Sequence, residues 1–461
     1  MCGVFGIVAP DRDVARLTHF GLHALQHRGQ ESAGIAVSDK GRLTVLRELG
    51  LVSQVFTEDK LRGLHGDLAI GHTRYSTTGS SAWANAQPLV HHGRARTIAL
   101  GHNGNLVNAG ELREELLADG VRVATTSDSE LIAALIAADP APLEQAVATT
   151  MDRLEGAYSI TALSEGTLLA FRDPRGFRPL CLGRLGDDPV VASETCALDL
   201  LGADFEREVE PGELLVIDEQ GVRSVQAVPP AGHGARCIFE LFYLARPDSR
   251  LDGVEVHGAR VRMGERLAAE APVEADLVMP IPDSGTPAAI GFARATGIPF
   301  SEGVIKNRYV GRTFIQPDQA LREQGIRLKY NPLDEVAGKR VVMVDDTIVR
   351  GNTMRQLVAM LFDAGATEVH VRISSPPIVG PCFYGIDFAA AEELIAASRS
   401  IDEVREAIGA TSLGHLSLEG LTEATQRPAS SLCRACLTGD YPTRIPEARR
   451  LEKLRFEPAR A

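Results

Sequence analysis

At 461 residues, with 44% hydrophobic and 24% charged residues, the chain has the composition of a soluble globular protein and the length of roughly two to three domains. Lys+Arg 48 against Asp+Glu 61 gives a net charge of −13, which argues against a generalised nucleic-acid surface and confines any phosphate site to local loops. No apolar run reaches the ~18 residues of a membrane span and no charged-then-apolar leader is present, so neither a membrane nor a nucleic-acid partner is expected and the location reads as cytoplasmic.

The chain opens Met1-Cys2-Gly3-Val4-Phe5-Gly6-Ile7. Removal of Met1, favoured by the small residue that follows, would give Cys2 both a thiol and a free α-amine. An amine of ordinary pKa near ~7.7–8.0 takes up the thiol proton at neutral pH, which makes such a residue a self-activating nucleophile. The opposing expectation is a buried thiol in an N-terminal strand.

Short apolar or alternating runs predict strands over Gly3–Ala9, Gly34–Val37, Leu68–Gly71, Thr97–Leu100, Tyr158–Leu163, Leu168–Arg172, Val190–Ser193 and Glu213–Ile217. Helices are predicted over Val14–Gln26, Ala109–Asp119, Ser129–Ala138 and Pro142–Arg153. Many strands with inserted helices predict a layered α+β domain. Within it lie Gly71-His72-Thr73-Arg74-Tyr75-Ser76-Thr77, Gly101-His102-Asn103-Gly104-Asn105-Leu106 and Thr125-Thr126-Ser127-Asp128-Ser129-Glu130. Taken singly, Asn103-Gly104 predicts a turn and Ser127 to Glu130 a helix cap with a capping box.

A break in composition at Pro229-Pro230-Ala231-Gly232-His233-Gly234 marks a linker. Beyond it helices at Val254–Ala271, Thr286–Thr296 and Thr353–Ala364 alternate with strands at Asp276–Ile281, Arg340–Val344 and Glu368–Ile373, the pattern of a doubly wound parallel α/β domain. The strand Arg340–Val344 runs into Asp345-Asp346-Thr347-Ile348-Val349-Arg350-Gly351-Asn352-Thr353, two acids and a small-residue loop where such a sheet binds ligands. Pro282-Asp283-Ser284-Gly285 forms a second strand-to-helix loop, and Lys306 to Phe314, followed by Arg322, Arg327 and Lys329, is a basic stretch in an acidic chain. From about Glu392 the chain reads as helical and then loop-like.

Seven cysteines, an odd number, make a disulfide framework unlikely in a reducing compartment. Cys433-Arg434-Ala435-Cys436 with the distant Cys237 and Cys382 is compatible with a redox pair, zinc or a cubane cluster, and spacing alone leans slightly to zinc. Cys181 and Cys196 read as buried, unligated thiols.

The motifs around Cys2, together with Leu25-Gln26-His27-Arg28-Gly29-Gln30-Glu31-Ser32-Ala33-Gly34, resemble the N-terminal-nucleophile glutamine amidotransferase domain over about residues 2–232. The resemblance implies an αββα sandwich in which Cys2 attacks the side-chain amide of glutamine. It assigns the oxyanion to Asn103 and the Gly104 backbone N–H, the substrate α-carboxylate to Arg74 and its α-ammonium to Asp128. Arg74 offers the planar fork that a carboxylate matches.

The second half, residues 233–461, resembles a type I phosphoribosyltransferase with a helical C-terminal extension. There Asp345 and Asp346 would hold the ribose hydroxyls of phosphoribosyl pyrophosphate, and Thr347, Val349, Arg350, Gly351 and Thr353 its 5′-phosphate. Asp283, Ser284, Lys306 and Lys329 would face the pyrophosphate, and Ser284, Asp345 and Asp346 one Mg²⁺ per subunit. Both halves in this order resemble the amidophosphoribosyltransferase family, which opens purine synthesis by putting ammonia from glutamine onto C1 of phosphoribosyl pyrophosphate. Membership implies an ammonia channel lined by Tyr309 when the basic lid closes, a homotetramer, and purine nucleotides as feedback inhibitors. Its iron-sulfur branch implies one [4Fe–4S] cluster per subunit on Cys237, Cys382, Cys433 and Cys436.

Asn352 and Phe388 stand where the family commonly has threonine, and no propeptide precedes Cys2, so maturation is expected to need methionine removal alone. An aminosugar synthase would share the first half but lack the Val344-Asp345-Asp346 loop. A non-enzymatic purine-sensing paralogue would tend to lose Cys2 or Arg74.

Overall fold

A computed structural model describes residues 1–309, 327–387, 391–446 and 453–457. The expected lid residues Gly311, Arg312, Thr313, Phe314 and Arg322, and Phe388, lie outside the described residues.

Two antiparallel sheets build the first half. One has seven strands, with Gly3–Val8 near its centre between Asp188–Ala192 and Leu68–Arg74, and Ser32–Asp39 beyond. The other has six, with Gly156–Ser164 between Thr97–Leu106 and Thr167–Arg172. Period-two alternation divides the side chains. Val4, Ile70, Ala99, Leu168 and Val191 fill the space between the sheets. Phe5 and Ile7 point the other way, against Val14, Leu22 and Leu198 of the helices Val14–Ala24 and Thr195–Leu201. The helices Ala109–Ala118, Asp128–Ala138 and Leu143–Arg153 cover the outer face of the six-stranded sheet. The result is the four-layer αββα sandwich. Truncating one of its buried leucines to alanine typically costs about 2–5 kcal/mol.

The second half carries a four-stranded parallel sheet in the order Leu277–Pro280, Arg340–Asp345, Glu368–Ile373, Ser412–His415. Both faces are apolar because both are covered. Val342 and Val344 pack toward the helices Val256–Glu270 and Thr286–Thr296, while Val341 and Met343 pack toward Asn352–Asp363. This is the type I phosphoribosyltransferase arrangement.

The predicted strands and helices of both halves recur with ends shifted by a few residues. Strands Arg42–Leu49, Leu89–His92, Cys181–Leu185, Asp204–Glu208, Gly221–Gln226 and Ser412–His415 escape the sequence reading because they are short, half-exposed or at sheet edges, where neither alternation nor an apolar run develops. The turn expected at Asn103-Gly104 is instead strand: both residues lie inside Thr97–Leu106, paired opposite Ser159 and Tyr158. The capping box is also only half present. Ser127 accepts from Ser129 N–H at the helix start, but the Glu130 carboxylate reaches past it to Ala124 N–H at 3.0 Å and to Thr125 N–H.

Candidate active site

Cys2 is buried at the end of the central strand of the seven-stranded sheet, and its thiol donates to the Tyr75 carbonyl at 3.6 Å. Its backbone N–H donates to Asn103 Oδ1 at 3.3 Å, while the Asn103 Nδ2, fully buried, has no partner among the described residues. A buried amide donor without an acceptor is costly and points to a ligand oxygen. Gly104 adopts φ +155°, and a Cβ there would sit 1.9 Å from the Ala157 carbonyl oxygen, so only glycine fits. Met1 is buried, and desolvation pushes its α-amine down to about 5.

Cys2, Arg74, Gly104 and Asp128 line one small cavity with Tyr75, Gln87, His102 and Ser129. Arg74 ends its strand, and its guanidinium donates to the Ser80 carbonyl at 2.9 Å and the Thr78 carbonyl at 3.2 Å, with Glu31 at 3.7 Å. Burial lowers the Arg74 pKa, partly offset by Cys2, Glu31 and Asp128. An incoming carboxylate therefore meets an arginine that is held in place and poorly hydrated. Asp128 Oδ2 accepts from Leu106 N–H at 3.0 Å, at the N-terminus of its helix.

Several residues of this site carry no sequence signal of their own. Gln87 accepts from His102 N–H at 2.8 Å and donates to Ser129 Oγ at 2.9 Å, which ties the strand of Asn103 and Gly104 to the Asp128 helix. His72 contacts the His102 carbonyl at 3.1 Å, and burial pushes its imidazole down to about 3, so it is neutral. Arg28, fully buried, donates to the Cys2 carbonyl at 2.9 Å and to Glu240 at 2.8 Å, and pairs with Glu194. Burial alone would lower its pKa, but the two carboxylates raise it. Tertiary contacts alone separate Arg28 from a solvated arginine.

In the second half, Asp345 closes its strand and accepts from the Asp346 N–H at 2.9 Å. Burial raises both carboxyls, and the Asp346 charge pushes Asp345 further. The Ser284 hydroxyl and Arg260 lie near enough to Asp346 to favour its charged form, and Arg260 is buried and bonded to the Leu241 and Ala245 carbonyls at 2.9 and 2.8 Å. Arg260 is a further residue that sequence reading missed. The Thr347 hydroxyl is buried without a partner among the described residues. Gly351 and Thr353 sit at the start of the helix Asn352–Asp363, where free N–H groups favour an anion. The Val349 carbonyl accepts from Ile395 N–H at 2.9 Å, and Arg350 is paired with Glu393. Lys306 reaches Asp283 at 2.5 Å, Lys329 stacks on the Tyr330 ring, and Tyr309 is fully exposed.

The four cysteines of interest come from three segments. Arg236–Cys237 pairs in parallel with Leu432–Cys433, which sets Cys237 opposite Cys433. The Cys436 carbonyl accepts from Val379 and Gly380 N–H, the turn that leads to Cys382. Burial raises Cys237 to about 11 and Cys436 well above the ordinary thiol range, and in Cys436 the other three thiols add to the rise. Among the described residues no three His, Cys, Asp or Glu side chains form a ready-made metal-ligand group. Cys181 and Cys196 are buried within the first domain.

The fold and these two sites define a glutamine amidotransferase joined to a phosphoribosyltransferase. Residues 72–200 match the family model described as glutamine amidotransferase domain, and residues 257–374 the one described as phosphoribosyl transferase domain. The amidophosphoribosyltransferase of Mycobacterium tuberculosis strain H37Rv is 54% identical over 98% of this chain and 88% of its own, and that of Bacillus subtilis strain 168 is 50% identical over 96% and 94%. The solved glutamine phosphoribosylpyrophosphate amidotransferase from B. subtilis, complexed with ADP and GMP, superposes with a TM-score of 0.90 at 49% identity, over 97% of this chain and 98% of that one. The chain belongs to the amidophosphoribosyltransferase family. It is a pentosyltransferase that hydrolyses glutamine and aminates phosphoribosyl pyrophosphate in purine synthesis.

Proposed function

We propose that Cys2, freed by removal of Met1, is the glutaminase nucleophile, with its own α-amine as base. The nitrogen that now donates to Asn103 Oδ1 would be that amine. It takes the thiol proton, and the thiolate attacks the glutamine side-chain carbonyl. The oxyanion falls to Asn103 Nδ2 and the Gly104 N–H, ammonia leaves, and water then hydrolyses the γ-glutamyl thioester to glutamate. Arg74 holds the substrate α-carboxylate and Asp128 its α-ammonium. The unpartnered, fully buried Asn103 Nδ2 beside Cys2 carries this reading. Asn103→Ala is expected to lower glutamine-dependent kcat by about 10²–10³-fold while ammonia-dependent activity persists. Unchanged kcat in a steady-state assay of pyrophosphate release would remove Asn103 from the mechanism.

Ammonia then attacks C1 of phosphoribosyl pyrophosphate and displaces pyrophosphate, giving 5-phosphoribosylamine. Asp345 and Asp346 orient the ribose, and Thr347, Val349, Arg350, Gly351 and Thr353 form the 5′-phosphate cradle. Asp283, Ser284, Lys306 and Lys329 face the pyrophosphate, and Tyr309 joins the channel when residues around it close. Ser284, Asp345 and Asp346 form an oxygen-only donor set of the kind Mg²⁺ takes. When bound, Mg²⁺ supplies neutralisation of the leaving pyrophosphate.

The thiols of Cys237, Cys382, Cys433 and Cys436 suit a [4Fe–4S] cluster, since such clusters take four cysteine thiolates and these four influence one another electrostatically. Its role would be to tie the linker, the α/β domain and the C-terminal segment together. Anaerobically purified protein is expected to contain about four iron and four sulfide per chain by colorimetric analysis, and to lose activity and stability together in air. A colourless, fully active preparation that withstands oxygen overturns the cluster. A cytoplasmic homotetramer inhibited by purine nucleotides completes the proposal, and the ADP and GMP bound to the B. subtilis enzyme support the last part.

A further inference from the structure

Segment 382–387 of the second domain lies directly behind the oxyanion strand of the first. Gly385 has φ +106°, and a Cβ there would lie 3.0 Å from the Gly104 carbonyl carbon and 3.2 Å from its Cα. Beside it, Asn105 Nδ2 donates to the Phe383 carbonyl at 3.0 Å. The same side chain accepts from Thr78 Oγ1 at 2.6 Å, and the Thr78 carbonyl accepts from Arg74 Nη2 at 3.2 Å. Arg178, bonded to Glu240, donates to the Tyr384 carbonyl at 2.9 Å, and Phe177 stacks on Tyr384 at 4.3 Å. Tyr384 N–H in turn contacts Cys382 Sγ at 3.4 Å.

We infer that this segment completes the glutaminase site from the other domain, with Asn105 as the positioning residue that links Phe383 to Thr78 and so to Arg74. The inference rests on the reading of Asn103 and Gly104 as oxyanion donors. Gly385 packs against the carbonyl and Cα of Gly104, so the backbone that follows the Gly104 N–H cannot shift toward the second domain. Asn105 divides its carboxamide between the two domains and holds the loop whose Thr78 carbonyl accepts from the carboxylate clamp Arg74. Neither residue touches the reacting atoms. A preorganised donor works only while its support is fixed.

Asn105→Leu removes both hydrogen bonds at similar volume. Glutamine-dependent kcat/KM should fall about tenfold, the worth of one to two hydrogen bonds, while ammonia-dependent kcat and the alkylation rate of Cys2 by iodoacetamide stay at wild-type values. Asn105→Asp, which keeps the acceptor for Thr78 but sets a carboxylate oxygen against the Phe383 carbonyl, cuts the same chain and should lose at least as much. Thr78→Val should lose about as much as Asn105→Leu, and the double variant no more than either, because one chain is cut twice. Gly385→Ala should repeat the pattern if it folds, as judged by its ammonia-dependent activity. Wild-type glutamine kinetics in Asn105→Leu overturn the inference, and so does a parallel fall in ammonia-dependent activity, which would mark a merely structural role. If Asn103→Ala also keeps full glutamine turnover, the oxyanion reading fails. If only the Asn105 variants do, this inference fails alone.

Discussion

Cys2→Ala is expected to abolish glutamine-dependent formation of 5-phosphoribosylamine, by about 10⁴-fold or more, and to leave the ammonia-dependent reaction at wild-type rate. The size follows from the chemistry, since Cys2 carries the one thiol among the described residues that line the cavity beside Arg74 and Asp128, and a thiolate is a far stronger nucleophile than the neutral hydroxyls around it. The selectivity follows from the architecture. Cys2 stands in the αββα sandwich, whereas Asp345 and Asp346, the proposed ribose-binding acids, close a strand of a separate parallel sheet. Alanine still permits removal of Met1, so the variant isolates the thiol from the maturation step. Pyrophosphate release measured with glutamine and, separately, with an ammonium salt at raised pH decides the matter. Retained glutamine turnover would reassign the nucleophile.

Asp345→Asn together with Asp346→Asn should remove both the glutamine-dependent and the ammonia-dependent reactions, by about 10²–10³-fold or more, because both routes end at the same ribose. Stability should move in the opposite sense. Burial raises both carboxyls, so each resists ionisation in the folded state. A carboxyl with a raised folded pKa costs stability in full at pH values above the raised value, and that cost shrinks as the pH falls from the raised value and vanishes at the ordinary carboxylate value of the unfolded chain. Uncharged asparagine escapes the cost at neutral pH. The double variant should therefore melt at or above the wild-type temperature at pH 7, and the difference should shrink in acid. Lost activity with a melting temperature several degrees lower would show the acids to be structural.

Most of the site was legible where its chemistry is compressed into a short stretch. Cys2 announces itself by its position, and Val344-Asp345-Asp346 by an apolar strand that ends in two acids. Asn103 and Gly104 were legible as residues but not as conformation, since the pair favours a turn locally and pairing with Ser159 and Tyr158 overrides that preference. Gln87, Arg28, Arg260 and Asn105 were not legible in role. Each is polar in a chain with many polar residues, and only burial and partners distant in sequence distinguish them. Glu240, for example, lies 212 residues from the Arg28 it binds.

Local order along the chain thus determined the two-domain plan, the strand and helix periods, and the candidacy of Cys2 and of the Asp345-Asp346 pair, because each depends on neighbours within a few residues. Tertiary structure decided which polar side chains are buried, where Asn103 leaves a donor free among the described residues, how Cys237 comes opposite Cys433, and that Gly385 and Phe383 of one domain back the Asn103–Asn105 strand of the other. Those features arise from contacts beyond the reach of a strand or helix period, such as Gln87 with His102, 15 positions apart, and Asn105 with Phe383, 278 positions apart, and their energetics depend on desolvation, which no local pattern records.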